Sequence, residues 1–142
     1  MANRLDSAMD GLATALETAL IDEGPLARVE RRPLLPAEAG DLPALGLVMD
    51  RFRRHTGNEW IASLVIMILA RQGADEADAT VTDLVAEADS AIATHADGGS
   101  AGCVLDAPDW QAWYSAHGAG ELRLVGALGS MTMRVAHPLK TD

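Results

Sequence analysis

The stretch Trp60-Ile61-Ala62-Ser63-Leu64-Val65-Ile66-Met67-Ile68-Leu69-Ala70 decides how this chain folds, because it is the longest uncharged apolar run and has no clean helical period. Ile61, Val65, Ile66 and Ile68 are β-branched, and such side chains suit a pleated surface better than a helix. The run is about half as long as a membrane-crossing helix requires. It predicts a strand over residues 59–71 that is central in its sheet and covered on both faces, one by helices and the other by a neighbouring subunit or another layer. Periodicity alone also admits a buried helix at this place.

Upstream, Leu45, Leu47 and Met49 alternate with Gly46, Val48 and Asp50, which predicts a second strand. Residues Arg51 to Asn58, ending in Gly57-Asn58, read as a charged hairpin tip between the two strands. Pro33, Pro36, Gly40 and Pro43 break any regular element over 33–43, so that segment is a loop, and Leu26 to Arg32 before it is a short extended piece. Leu5, Met9, Leu12, Leu16, Ala19 and Leu20 recur at helical spacing and predict an amphipathic helix over about residues 4–22, stopped by Gly24-Pro25.

Downstream, Thr80 and Asp83 have the spacing of a capping box ahead of Val81, Leu84, Val85, Ala88 and Ile92, predicting a second amphipathic helix over about 80–95. The segment Asp97 to Gly102 reads as a turn that also holds the approach to Cys103, and alternation over 110–115, 121–126 and 130–135 predicts two or three further strands. Helix, three strands, helix and more strands make one α+β domain over residues 1–142, with a mainly antiparallel sheet and the two amphipathic helices on one face. The absence of regular strand–helix alternation disfavours a doubly wound sheet.

Charge is regional. The chain carries a net charge of −10, and the interval 72–122 holds ten acids and no lysine or arginine. Such acidity argues against a nucleic-acid binder, whose phosphate contacts call for a basic patch. Six arginines fall in two clusters, Arg28/Arg31/Arg32 and Arg51/Arg53/Arg54. Either region reads as a solvated face or, in a protein that stacks on copies of itself, as opposed charge for docking. Asp83, Glu87 and Asp89 lie on the polar side of the second helix and are the acids expected at a lumen or rim. Arg51, Arg53, Arg54, Arg31 and Arg32 are the basic candidates for a protein interface. Trp110 and Trp113 fall on opposite strand faces, which makes Trp113 available to a partner or, equally, part-buried in the chain itself.

Catalytic chemistry finds little footing. His55, His95, His117 and His137 are far apart and form no metal-binding spacing, and the lone Cys103 excludes an internal disulfide and a multi-thiolate metal site. Gly98-Gly99-Ser100-Ala101-Gly102 follows a helix and lacks the residues of a phosphate loop. No catalytic, cofactor or metal residue is therefore assigned, and the expectation is a protein that is not an enzyme and carries no cofactor. The charged N-terminus has no apolar core of a secretory signal, so synthesis in the cytoplasm is expected.

The layout resembles that of the tail terminator proteins of long-tailed bacteriophages and phage-derived particles. The features carrying the likeness are the leading helix Leu5–Asp22, Ala27-Arg-Val-Glu-Arg-Arg-Pro33 entering a proline-rich loop, and Asp41-Leu-Pro-Ala-Leu45 opening a strand. The long strand Trp60–Arg71, the acidic helix Thr80–His95 and a closing meander through Gly120–Leu124 and Met131–Ala136 continue it. The resemblance implies a homo-oligomeric ring, usually of six subunits, at the tail–neck junction of a particle assembled in a bacterial cell. It implies a tail tube protein beneath, a head–neck connector (stopper) protein above, and DNA passing through the lumen without specific binding; a membrane plays no part. The basic stretch Arg51-Phe-Arg-Arg54 matches no feature of that family. Another neck or head-closure component, and a small α+β enzyme or ligand-binding domain, are the alternatives left open.

Overall fold

In the computed structural model, which describes residues 3–22, 24, 26–34, 43–71, 77–98, 103–114 and 124–140, the apolar run is a strand. The elements in order are α1 (Arg4–Glu17), a π-helical turn (Thr18–Asp22), β1 (Arg28–Glu30), β2 (Ala44–Thr56) and β3 (Glu59–Arg71). They continue with α2 (Ala77–Gly98), β4 (Cys103–Leu105), β5 (Asp109–Tyr114) and β6 (Leu124–Ala136). The fold is α+β: among the described residues, two α-helices accompany a six-stranded sheet in the order β1-β2-β3-β6-β4, with β5 also on β6. Among the described residues all pairings are antiparallel except β1 on β2, which is parallel, so the sheet is mixed but mainly antiparallel, in line with the expectation from the grouping of strands.

β3 is the centre of this sheet, paired along its length with β2 and β6. Alternation then sorts its side chains onto two faces. Ala62, Leu64, Ile66 and Ile68 are buried, and they join Leu12 and Leu16 of α1 and Leu84, Ala88 and Ile92 of α2 in the main core. Cross-strand register puts Leu45, Leu47, Met131, Met133 and Val135 on the same inner face. The helices reach this face with their apolar stripes, as the heptad-like spacing of α1 predicts.

The other face is different. Ile61, Ser63, Val65 and Met67 are only half-buried, as are Val48 opposite Val65 and Leu128 opposite Met67. At one end of this outer face Leu34 clusters with Ala44 and Leu69. A Cβ on Gly46 would lie 2.7 Å from the Arg32 carbonyl oxygen, so only glycine lets the chain cross the strand so closely there. The expectation of cover on both faces holds for the helix side, while the middle of the outer face is only half-shielded within the chain.

Several boundaries shift for identifiable reasons. The stretch read as a hairpin tip is strand as far as Thr56, and the turn is Gly57-Asn58 alone. Gly57 has φ of +49°, which suits the first position of a tight two-residue hairpin turn of the II′ kind. α2 begins at Ala77, ahead of Thr80, so Thr80 and Asp83 do not cap it. Cys103 opens a short strand instead of lying in a turn. The described part of the alternating segment 121–126 and the segment 130–135 belong to one strand, β6, running through Gly126 and Gly129. A Cβ on Gly129 would meet the Trp110 ring at 2.8 Å, which explains why a residue that weakens strand propensity stands in mid-strand. The central part of the proline-rich loop (35–42) and most of the glycine-rich segment (99–102) lie outside the described residues.

The start of α1 is fully tied. The Asn3 side chain accepts a hydrogen bond from the Asp6 amide at 2.9 Å, while the amides of Arg4 and Leu5 donate to the carbonyls of Lys140 and Pro138. The C-terminal residues thus complete the cap of the first helix, a pairing of chain ends that no local sequence signal announces.

The two faces of β3 give a direct test. Leu64→Ala should cost about 2–5 kcal/mol of stability in urea unfolding, because it opens a cavity beneath the helices. Val65→Ala, one residue away on the half-exposed face, should cost about 1 kcal/mol or less. Equal losses would mean that the chain covers both faces itself.

Candidate interaction surface

The arginines read as interface candidates separate into three groups. Arg31 pairs with Asp10 of α1, and Arg32 donates from Nε to Glu30 at 3.0 Å, so both are engaged within the chain near β1. Arg28 also contacts Glu30, at 2.8 Å. Partial burial raises the Glu30 pKa, but the hydrogen bond from Arg32 and the charges of Arg28 and Arg32 outweigh it and hold the carboxyl below its ordinary value.

Arg51, Arg53 and Arg54 do not act as one cluster. A register shift between Met49 and Arg51 moves the strand past Asp50, and beyond it Arg51 lies opposite Ser63 and Arg53 opposite Ile61. Both therefore point to the outer face, in adjacent rows. Arg134 joins the Arg53 row from β6, with its guanidinium 3.9 Å from Glu59. Arg51 and Arg53 are exposed and have no acidic partner among the described residues. Arg54 turns the other way, opposite Trp60, with its guanidinium carbon 4.9 Å from that ring's centroid and Nη1 donating to the Gly57 carbonyl. Phe52 stacks on Trp60 at a centroid separation of 4.6 Å and packs against the main core. This aromatic pair anchors the end of β2 and leaves the outer-face arginines presented on a rigid strand. The sequence reading missed it, because the bulge at Asp50 shifts which residues share a face.

The acids divide likewise. Asp83 and Glu87 are exposed on α2, and neither has a cationic partner among the described residues. Asp89 is half-buried and accepts a hydrogen bond from Trp110 Nε1 at 3.0 Å, so its carboxylate is committed to holding α2 on β5. Trp113 pairs with Gly126 across β5 and β6, and its side chain lies outside what is described.

Between α1 with its π-helical turn and α2 runs an open groove of about 690 Å³. It is lined mainly by small side chains, among them Ala15, Ala19, Ala86 and Ala91, together with Glu87 and His95. Neither Arg51 nor Arg53 can reach this groove in the same chain, since α2 packs on the inner face and they project from the outer one. Among the described residues no three His, Cys, Asp or Glu side chains gather as a metal site would require, and no helix is long and apolar enough to cross a membrane. Comparison of the chain with protein-family models and with curated proteins returns no match.

Two measurements check these assignments. Asp89→Ala should cost about 1–3 kcal/mol, since it strands a part-buried indole N–H, whereas Asp83→Ala should leave stability unchanged within about 0.5 kcal/mol. In an NMR titration Glu30 should protonate below an ordinary glutamate. A carboxyl with a depressed folded-state pKa adds stability above its unfolded pKa, and that contribution should fade as pH falls through the folded value.

Proposed function

We propose that this chain is a structural protein of a phage or phage-like particle that assembles as a ring on the end of the tail tube, stops tube growth and offers a surface to the head–neck connector. The observation that supports it most is the outer face of the sheet. A central strand whose Ile61, Val65 and Met67 are only partly buried, beside Leu128, forms an apolar strip that association would bury further. The strip lies beside two exposed arginines, Arg51 and Arg53. An apolar centre with a charged margin is the anatomy of a docking surface, in which the apolar part contributes affinity and the charges set register.

The order of elements is in keeping with the resemblance in layout to tail terminators, with a long central strand between two helices in sequence and closing strands that pair antiparallel on β6. The acidic balance suits a conduit for DNA. Each phosphate neutralised by a passage wall would add salt-sensitive affinity, and a net charge of −10 works against that.

Light scattering coupled to size exclusion, with and without purified tail tubes, is the test. The expected result is a closed ring in solution, or a single chain that forms a ring only at tube ends and halts their elongation. A chain that stays monomeric at high concentration and ignores tubes would overturn the reading. The assembled ring should also show no saturable binding of duplex DNA at low salt, where electrostatic binding is strongest.

A further inference from the structure

Within the reading of the chain as a ring subunit, the geometry points to a head-to-tail contact: we propose that the outer sheet face of one copy, led by Arg51 and Arg53, docks on the α1–α2 groove of the next copy, where Asp83 and Glu87 receive it. The argument rests on where unpartnered charge sits. Two exposed arginines on β2 lack an acidic partner among the described residues, and two exposed acids on α2 lack a basic one. They occupy opposite sides of the same sheet. One copy cannot bring them together; a second copy stacked on it can.

Shape supports the same pairing. The groove of about 690 Å³ is lined mostly by alanine, serine and threonine side chains, which are too short to fill it from within. Arginine stems are apolar and lie readily along such a surface, leaving the guanidinium to meet a carboxylate in a planar, two-pronged contact. Glu87 lines the groove, and Asp83 precedes it by one turn on the same helix. On the arginine side, Ile61 and Val65 sit in nearby rows of the same face and would meet the alanines that line the groove. Apolar strip and charged margin are thus matched by one complementary surface, and both are used in a single contact.

Such a contact joins two different patches. Repeated through a rotation that closes, it generates a ring; through one that does not, a filament. It also gives each subunit a donor side and an acceptor side, which a two-fold contact between identical patches would not.

The test is a charge exchange. One variant carries Arg51→Glu and Arg53→Glu, the other Asp83→Arg and Glu87→Arg, and circular dichroism with thermal melting confirms that each folds. Each alone should lose assembly under conditions where the unaltered chain forms rings, because like charges then face one another. An equimolar mixture should regain the rings, with the two variants alternating and an even number of subunits in each, since every contact then pairs opposite signs. Native mass spectrometry reads composition and size together. If both variants assemble as the unaltered chain does, or if the mixture stays apart, the proposed contact is wrong while the ring remains. If the unaltered chain forms no ring and the mixture stops at a dimer, the pairing of surfaces stands and the ring itself is refuted.

Discussion

A strand hydrogen-bonded on both sides has two faces, and only one face of β3 is deeply buried by helices in this chain. That constraint organises the molecule. The stripe of α1 and the apolar positions of α2 converge on Ala62, Leu64, Ile66 and Ile68, and Leu12, Leu16, Leu84 and Ile92 are buried on that face. The opposite side chains of β3 alternate with these by geometry, so their placement on the outer face follows from the pairing itself. A polar sequence there would have made an ordinary solvated sheet. Ile61, Val65 and Met67 do not, and the functional reading begins from that departure.

The remaining features secure this two-sided plate. The C-terminal residues cap α1 through the carbonyls of Pro138 and Lys140, closing the chain on itself across the helix layer. Trp110 packs on Gly129 and donates to Asp89, fixing α2 over β5. Phe52 and Trp60 stack beneath Arg54 at the far end of the hairpin. Each of these contacts holds a charged surface still: the acids of α2 above, the arginines of β2 below. Rigid presentation matters for assembly, because ordering flexible side chains at a contact subtracts from its affinity.

Much of the fold is legible in the residues. The unbroken apolar run 60–70 marks the central strand, the spacing of Leu5, Met9, Leu12 and Leu16 marks the first helix, and the grouping of strands gives the α+β class. What escapes the sequence is governed by long-range register. Residues 51–56 look like loop because they are charged, yet they are strand because β3 pairs with them; charge on an edge strand is a guard against unwanted pairing, not a sign of irregularity. The parallel placement of β1 follows from where the chain returns after a loop, which local pattern does not encode. The candidate interface residues are legible as clusters but not as faces. The bulge at Asp50 sends Arg51 and Arg53 one way and Arg54 the other, and Asp89 is drawn from the acidic row by an indole N–H that lies 21 residues further along.

The central claim is that the outer face of β3 is covered by association. Oxidative footprinting of the native methionines reads it without any substitution, since Met67 lies on that face and Met131 and Met133 lie in the helix-covered core. In the free chain Met67 should oxidise faster than Met131 and Met133, and in the assembled state it should become protected while those two stay protected throughout. A Met67 that reacts equally fast in both states would contradict the account.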